Sequence, residues 1–165
     1  MKKIPPYNNY WVIPDNFMAG EYPGSDHTSL ITERRLDALL ESGITTFIDL
    51  TEPNERVPYE PVLRERAGYY QIEIAYRRFS IGDFGVPSKD RMKAILNTIH
   101  STLAAGGKPY VHCWAGMGRT GTVVGCFLVE TGLSGDDALL KVDRLCYYAP
   151  SPQTEAQKDF VRNWR

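Results

Sequence analysis

An α/β fold is the class that the sequence predicts, with a central mixed or parallel sheet of about four to five strands flanked by helices. Two observations lead to this prediction. Strand patterns alternate with helix patterns through the early and middle parts of the chain, and only helix patterns follow. The length of 165 residues and the 42% hydrophobic content suit one domain that buries its own core. We therefore expect a single domain over residues 1–165.

The early part of the chain predicts an arm, two short strands, a helix and a buried strand. Residues 1–9 are rich in proline and asparagine and are typical of a loose N-terminal arm. A turn at residues 14–16 separates the two short strands. Gly43 is expected to end the helix. The predicted elements are strands over 10–13 and 17–19, a helix over 29–42 with Leu30, Ile31, Leu36, Leu39 and Leu40 at helical spacing, and a strand over 44–50.

The middle and late parts alternate loops with amphipathic segments. Residues 51–58 form a charged loop with two prolines, and Arg77–Pro87 is a loop with Gly82 and Gly85. Ser88 is expected to cap a long helix that Gly106-Gly107 ends. The buried face of this long helix is expected to consist of Met92, Ile95, Leu96, Ile99 and Leu103. Two further helices are expected to start at Ser134, where Asp137 three residues later resembles a capping box, and at Ser151-Pro152, a cap followed by a first-turn proline. The remaining predicted elements are a helix over 59–67, a strand over Tyr69–Ala75, a strand over 109–113 and a helix over 119–131.

Composition excludes several classes of function. The chain carries 19 basic and 20 acidic residues, so its formal net charge is −1, which argues against nucleic acid or an anionic membrane as the main partner. Its three cysteines form no C-x-x-C pair, so a disulfide framework and a cysteine-rich zinc site are both disfavoured. We find neither a signal peptide pattern nor an apolar run near the ~18 residues of a spanning helix. The expectation is a cytoplasmic monomer.

The segment from Val111 to Gly121 predicts a binding site for an oxyanion. An apolar strand runs into Cys113, and Arg119 opens a helix soon afterwards. Gly116 and Gly118 free the loop between them to turn its amides inward, and the helix N-terminus adds its dipole. The Arg119 guanidinium offers two hydrogen bonds to a phosphate. This field favours the thiolate form of Cys113, which would be a nucleophile aimed at phosphorus.

Three other interpretations of the same loop are weaker. Gly116-x-Gly118-x-x-Gly121 matches a dinucleotide fingerprint, but no further parallel strand follows the helix as that fold requires. The nucleotide-binding pattern G-x-x-x-x-G-K-[ST] lacks its lysine, because Thr122 stands there. A buried structural cysteine explains neither the arginine at the helix start nor the three glycines.

The segment from His112 to Gly121 closely resembles the signature H-C-x-x-G-x-x-R-[ST] of cysteine-dependent protein tyrosine phosphatases, and the small dual-specificity group is the most similar. The resemblance covers about residues 10–165 and places the phosphate-binding loop between the last core strand and a helix. Further segments resemble this group in the same order, namely Trp11–Pro14, Ala19–Pro23, Ile48–Thr51, Phe79–Pro87 and Gln153–Gln157.

Chemistry and resemblance together assign the catalytic roles. A phosphate monoester needs an acid for its leaving oxygen, and Asp83 is the candidate that the resemblance supports, with Asp49 and Asp90 as competitors. Cys113 is the nucleophile, while Arg119 and the loop hold the phosphate. The resemblance gives Thr120 a hydrogen bond to the departing sulfur, His112 a supporting role, and Gln153 or Gln157 a hold on water. The expected substrate-binding residues are Trp114, Ala115, Gly116, Met117, Gly118 and Arg119; no metal and no cofactor are expected.

The expected substrate is phosphotyrosine in a protein, with phosphoserine and phosphothreonine as further possibilities. The variable positions Trp114, Ala115 and Met117 carry no lysine, which disfavours inositol phospholipids by comparison with relatives that have lysines there. Arg77 and Arg78 either meet extra negative charge or form a solvated strand end. Non-catalytic phosphate binding, sulfur transfer and arsenate reduction with Cys126 or Cys146 as a resolving cysteine are the other functional classes considered.

Overall fold

The computed structural model describes residues 7–165 as a five-stranded sheet between two groups of helices. The elements are β1 (Asn9–Ile13), β2 (Phe17–Gly20), α1 (Ser29–Glu41), β3 (Thr46–Asp49), α2 (Glu60–Tyr69), β4 (Ala75–Arg78), α3 (Lys89–Ala104), β5 (Pro109–His112), α4 (Arg119–Glu130), α5 (Gly135–Leu145) and α6 (Glu155–Arg162). The strands lie in the order β1-β2-β5-β3-β4; β1 runs antiparallel to β2, and the other pairs are parallel. The predicted mixed α/β fold is therefore confirmed.

The sheet is buried on both faces, which explains the continuous apolar runs of its strands. Along β5, Tyr110 packs with α1 and α2, while Val111 packs on the other side with α3, α4, α5 and α6. Phe47 and Ile48 divide in the same way along β3. This alternation follows from the two-residue period of a strand. Two separate apolar cores thus pack on opposite faces of the sheet and hold the strand ends in place.

The carboxyl ends of four strands meet at one edge of the sheet. His112, the last residue of β5, is level with Gly20 on one side and with Asp49 on the other. Asp49 is in turn level with Arg78 at the end of β4. The loops that leave these four residues therefore start side by side, and such an edge is where α/β sheets usually place their sites.

The loose N-terminal arm extends less far than predicted. Residues 1–6 lie outside the described part of the chain, but Tyr7 is buried in the core beside α1, and Asn9 already belongs to β1. The Tyr7 ring packs edge to face on Tyr110, with their centroids 6.5 Å apart. Burial of this large aromatic side chain anchors the chain around Tyr7 to the core.

The strand predicted over Tyr69–Ala75 is wrong, because β4 covers Ala75–Arg78 instead. Helix α2 continues to Tyr69, and a turn at Gln71, whose φ is 55°, follows it. Ile72 and Ile74 pack against the core without pairing to another strand, so their alternation came from packing alone. Parallel pairing with β3 then extends to Arg78, and Arg77 and Arg78 are strand residues rather than loop residues.

The last helix begins later than Ser151-Pro152. Its N-cap is Thr154, whose side chain accepts from the Gln157 amide, while the Gln157 side chain returns to the Thr154 amide. This reciprocal capping box satisfies two backbone donors and so sets the helix start. Ser151 and Pro152 are instead buried residues of the preceding segment.

The other predicted helices are present with boundaries that differ by a few residues. Ser88 and Ser134 cap α3 and α5 as expected. The buried face of α3 consists of Met92, Ile95, Leu96 and Ile99, with Leu103 partly buried. Leu30 and Ile31 of α1 are exposed, unlike the three leucines later in that helix. Over residues 7–165, every helix is too short or too polar to cross a membrane.

Candidate active site

The loop between Cys113 and Arg119 has its carbonyl groups held from outside. The Tyr22 amide donates to the Trp114 carbonyl at 2.9 Å, and the Tyr148 hydroxyl donates to the Gly116 carbonyl at 2.9 Å. The Ser151 hydroxyl donates to the Met117 carbonyl at 2.5 Å. Outward carbonyls leave the amide groups of the loop facing inward, as an anion site requires. The amides of residues 114, 115, 117 and 118 donate to no acceptor within residues 7–165.

Gly116 is the residue on which this loop geometry depends most. Its φ is 73°, and a Cβ there would lie 2.5 Å from the Gly20 carbonyl carbon at the end of β2. Only glycine combines this backbone conformation with so close an approach. The Gly116 amide donates to the Cys113 sulfur at 3.3 Å, so the turn delivers a donor directly to the thiol.

Cys113 is buried at the floor of a cavity of about 70 Å³. Helix α4 begins at Arg119, so its N-terminal amides lie close behind the cysteine and favour negative charge there. The residues that line the cavity are Asp83, Phe84, Cys113, Trp114, Ala115, Gly118, Arg119 and Gln153. The cavity therefore unites the predicted nucleophile, acid and arginine. Gly116 and Met117, also predicted to bind substrate, do not line it.

Arg119 is held by an acidic residue that the sequence did not single out. Its Nη1 and Nη2 donate to the two carboxylate oxygens of Glu55 at 2.9 and 2.7 Å, and Nη1 also donates to the Ile81 carbonyl at 3.0 Å. Burial opposes the charge on the guanidinium, but the hydrogen bonds to Glu55 raise the pKa of Arg119 above its ordinary value. Burial likewise opposes the negative charge of Glu55. The hydrogen bonds from Arg119 have the larger effect, so the pKa of the Glu55 carboxyl is lowered.

Asp83 stands at the mouth of the cavity on the loop between β4 and α3. Its Oδ1 lies 3.3 Å from Arg119 Nη2, and its side chain is about half exposed. Gln157 Nε2 donates to the Gly85 carbonyl, and the Leu50 carbonyl accepts from the Ile81 amide, so both ends of this short loop are anchored. A carboxyl on an anchored loop, close to the arginine and open to solvent, suits proton transfer at the mouth.

The two competing acids lie elsewhere. Asp49 is fully buried, and its carboxylate accepts from the Thr51 hydroxyl and the Tyr76 hydroxyl, both at 2.6 Å. Asp90 is exposed in the first turn of α3, where the helix dipole accounts for it. Neither lines the cavity, so the geometry favours Asp83.

His112 supports the cysteine through the backbone. Its Nδ1 lies 3.0 Å from the Cys113 carbonyl oxygen, and its Nε2 lies 2.6 Å from the Tyr59 hydroxyl. Because a carbonyl only accepts, Nδ1 carries the proton, and Nε2 accepts from Tyr59. Burial lowers the pKa of His112, which keeps this neutral arrangement.

Thr120, expected to donate to the departing sulfur, makes no hydrogen bond to Cys113 in this structure. Thr120 Oγ1 is buried and has no hydrogen-bond partner within the described residues. A buried hydroxyl without a partner is rare in folded proteins and usually marks strain or function. Of the two glutamines, Gln153 lines the cavity. The Gln157 side chain instead caps α6 and donates to the Gly85 carbonyl in the loop that carries Asp83.

The other basic and cysteine residues that the sequence analysis considered, Arg77, Arg78, Cys126 and Cys146, do not line the cavity. Arg78 makes an ion pair with Asp49 at 3.4 Å, and Arg77 is exposed on the edge strand β4. Cys126 and Cys146 are buried with free thiols, and burial raises the pKa of each. Within residues 7–165, histidine, cysteine and acidic side chains form no cluster of metal-ligand size.

Two aromatic side chains form the rim of the cavity. Trp114 is 49% exposed and Phe84 is 58% exposed, although both line the opening. The Arg56 guanidinium lies over the Trp114 ring at 4.6 Å from its centroid, and Asp26 pairs with Arg56 at 2.7 Å. The charged loop after β3 thus contacts two residues that line the cavity: Glu55 pairs with Arg119, and Arg56 lies over Trp114 at the rim.

A cysteine loop that runs from the carboxyl end of a strand into a helix led by arginine is typical of small cysteine phosphatases with dual-specificity character. Comparison with known families agrees. Residues 23–133 match the family described as "Polymorphic toxin system, DSP-PTPase phosphatase", and the chain belongs to this family.

Individual proteins show the same relationship. The chain is 33% identical to Protein tyrosine phosphatase domain-containing protein 1 of Mus musculus, over 80% of this chain and 18% of that protein. The crystal structure of Tk-PTP in its active form matches with a TM-score of 0.78 at 23% identity, over 95% of each chain. PTPMT1 in complex with PI(5)P matches with a TM-score of 0.73 at 17% identity, over 94% of this chain and 93% of that one. The chain therefore spans about a fifth of the mouse relative's length.

Proposed function

We propose that this protein hydrolyses phosphotyrosine in proteins, and phosphoserine and phosphothreonine more slowly, through a cysteinyl-phosphate intermediate. The observation that carries the proposal is the meeting of Cys113, Arg119 and Asp83 around one cavity of about 70 Å³. Hydrolysis of a phosphate monoester needs three groups close together: a nucleophile, a cation that binds the phosphate oxygens, and an acid for the leaving oxygen.

In the first proposed step, the Cys113 thiolate attacks phosphorus and forms the sulfur–phosphorus bond. The bond from phosphorus to the leaving oxygen breaks, and Asp83 gives that oxygen its proton. The inward amides of the loop and Arg119 hold the three remaining oxygens, where charge is spread in the transition state. The step leaves a cysteinyl phosphate, a free hydroxyl compound and an ionised Asp83.

In the second proposed step, Asp83 takes a proton from water while the water oxygen attacks phosphorus. The sulfur–phosphorus bond breaks, inorganic phosphate leaves, and Cys113 returns as a thiolate. The unpartnered Thr120 hydroxyl is suited to donate to that sulfur after a rotation about its side-chain bond. Gln153 at the cavity wall supplies an amide that could hold the water. The scheme uses neither a metal nor a cofactor.

Aromatic character at the rim supports phosphotyrosine as the preferred substrate. Trp114 and Phe84 expose their rings on the cavity opening, where a tyrosine ring attached to the bound phosphate would pass. Ring-to-ring packing contributes about 0.5–1.5 kcal/mol beyond burial, a gain that serine and threonine esters lack.

An inositol phospholipid is the second candidate substrate, favoured by the likeness to PTPMT1 in its complex with PI(5)P. The loop positions Trp114, Ala115 and Met117 carry no lysine, and the acidic Glu55 lies against Arg119. Extra phosphates on an inositol ring would need cations near the mouth. Arg56 contacts the rim residue Trp114, but it is already paired with Asp26.

The test is a side-by-side measurement of kcat/KM on a phosphotyrosine peptide, its phosphoserine counterpart and a short-chain phosphatidylinositol 5-phosphate. We expect the phosphotyrosine peptide to be the best substrate by at least tenfold. Cys113→Ser should lose turnover while still binding vanadate, because the cradle remains and the nucleophile does not. A higher kcat/KM on the lipid would replace the proposed substrate, and substantial turnover by Cys113→Ser would exclude the covalent intermediate.

A further inference from the structure

Arg56 and Trp114 form a stacked pair beside the mouth of the cavity. The centre of the Arg56 guanidinium lies 4.6 Å from the centroid of the Trp114 ring, within the range of an attractive contact between a cation and an aromatic face. Trp114 lines the cavity, whereas Arg56 does not. The ring therefore has the guanidinium on one side and the opening of the cavity on another.

Tyr22 holds the backbone of both partners. Its amide donates to the Trp114 carbonyl at 2.9 Å, and its hydroxyl donates at 2.7 Å to the carbonyl of Val57, the residue after Arg56. Tyr22 is buried and packs edge to face on Tyr59, with their centroids 5.2 Å apart. Because the two backbone segments are already held, only side-chain freedom is lost when the guanidinium settles on the ring.

An ion pair with Asp26 orients the Arg56 guanidinium. Asp26 Oδ2 lies 2.7 Å from Arg56 Nη2, and 27% of the Arg56 side chain is exposed. Arg56 Nε is buried and has no hydrogen-bond partner within residues 7–165. The ion pair and the stack on Trp114, rather than a hydrogen bond at Nε, therefore set the direction of the guanidinium.

The exposed ring of Trp114 needs such a support to keep one position. About half of its side chain is exposed, and exposed side chains change rotamer on a fast timescale. We propose that Arg56 is a positioning residue, which holds the Trp114 ring at the mouth so that the ring packs against the aryl group of phosphotyrosine. The proposal rests on the proposed phosphatase function of the same cavity. It makes Arg56 a determinant of the preference for aryl over alkyl esters, because phosphoserine and phosphothreonine have no ring to pack on Trp114.

Positioning of Trp114 differs in a measurable way from simple attraction of phosphate by Arg56. A cation that attracts the phosphate group favours every monoester alike, because all of them carry the same charged group. The charge of Arg56 is also already compensated by Asp26. Loss of attraction would therefore change kcat/KM on all esters by one factor, whereas loss of positioning changes the ratio between aryl and alkyl esters.

The test is the ratio of kcat/KM on a phosphotyrosine peptide to kcat/KM on its phosphoserine counterpart. Arg56→Ala and Arg56→Lys are compared with Arg64→Ala, a matched control that removes the same charge from an exposed ion pair with Glu60 on α2. We expect the ratio to fall by about twofold to tenfold in Arg56→Ala, the range of one ring-to-ring contact, mainly through a higher KM for the phosphotyrosine peptide.

The other variants should follow the chemistry of the side chain. Arg56→Lys should keep part of the preference, because lysine still places a cation near the ring, and Arg64→Ala should equal the parent. If Arg56→Ala does not fold, Arg56→Gln serves in the same comparison, because it keeps most of the side-chain length and lacks the charge. A ratio that changes by less than about twofold in the variant without the Arg56 charge would overturn the proposal.

A double-mutant cycle shows whether Arg56 acts through Trp114. In the Trp114→Ala background, adding Arg56→Ala should change the ratio by less than about twofold, and a loss as large as in the parent would contradict the proposal. A parent with no preference for the phosphotyrosine peptide would also overturn it, although the hydrolysis would stand. Should the parent hydrolyse no phosphate ester, the proposed function fails. The ratio of the two peptides' dissociation constants, measured by calorimetry on the same variants, then still decides the role of Arg56.

Discussion

The Tyr59 hydroxyl donates to His112 Nε2 across 2.6 Å, and this bond joins helix α2 to strand β5, which ends next to Cys113. Tyr59 is the N-cap residue of α2 and is almost fully buried, as is His112. With Nε2 held as an acceptor, Nδ1 keeps its proton for the Cys113 carbonyl. A side chain 53 residues earlier in the chain thus fixes the tautomer of the histidine beside Cys113.

Tyr59→Phe should destabilise the protein by about 1–3 kcal/mol, because it leaves a buried histidine nitrogen without its donor. Urea unfolding at neutral pH measures the loss. Tyr147→Phe is the matched control, since the Tyr147 side chain is largely exposed and its change should be close to zero. Equal effects in the two variants would show that the hydroxyl at Tyr59 contributes nothing specific.

Asp83→Asn should lower kcat by a factor of about 10²–10⁴ on a phosphotyrosine peptide, because the tyrosine phenolate is a basic leaving group. The loss should be much smaller on an aryl phosphate whose phenol leaves readily. The fall of kcat/KM on the alkaline side should also flatten in the variant. Asp90→Asn, an exposed change on the next helix, is the control that should behave like the parent. A uniform loss on both esters would point to a different acid.

Gly116→Ala should abolish most activity and lower the free energy of unfolding by at least about 1–2 kcal/mol, the cost of a left-handed alanine. The new methyl group would also meet the backbone of Gly20 at 2.5 Å, so the loop amides must shift. Gly68→Ala is the control, because a Cβ at Gly68 meets nothing within 4 Å at the end of α2. That variant should keep full activity and gain up to about 1 kcal/mol of stability. Thermal unfolding and kcat/KM together check both outcomes.

Asp49→Asn should destabilise the protein most at neutral pH and progressively less in acid. Burial opposes ionisation of Asp49, but nearby His112 and hydrogen bonds from Thr51 and Tyr76 hold its pKa below the ordinary value. A carboxyl with a lowered pKa in the folded state stabilises it above the unfolded pKa of about 4, and that stabilisation disappears as the pH falls through the folded value. Urea unfolding between pH 7 and pH 3 measures the difference between parent and variant.

Glu73→Gln is the control at neutral pH and should be about as stable as the parent, because the Glu73 side chain is exposed. An Asp49→Asn deficit that stays constant into strong acid would show that the ionised carboxylate is not the stabilising form. Burial also lowers the pKa of His112, so its protonation adds to the loss of stability in acid.

That Cys113 and Arg119 meet at one cavity could be predicted from the sequence, whereas the pairing of Arg119 with Glu55 could not. Cysteine, glycines and arginine stand within ten residues of chain, and each has a local physical reason to be there. Glu55 lies 64 residues from Arg119 in a loop of ordinary charged residues, and acidic residues in loops are usually solvated. One signal was present: that loop leaves β3 at the edge where the phosphate loop leaves β5, so the two are neighbours.

The errors in the element boundaries have a common physical origin. Tyr70, Ile72 and Ile74 alternate because their side chains pack on the core, and side-chain alternation does not reveal which backbone groups are paired. Likewise, Ser151-Pro152 resembles a helix start, but the reciprocal cap of Thr154 and Gln157 satisfies more backbone donors. Packing against the core misled the strand prediction, and a more favourable helix cap three residues later misled the prediction of the helix start.

Three groups outside the loop between Cys113 and Arg119 bind its carbonyls, and they limit how far the chain can be shortened. The family match spans residues 23–133, yet Tyr22, Tyr148 and Ser151 all lie outside that interval. Trimming the protein to the matched interval would preserve every residue of the signature and remove every group that turns its carbonyls outward. A segment that keeps these three hydrogen bonds must therefore include at least residues 22–151, which is longer than the interval that carries the signature.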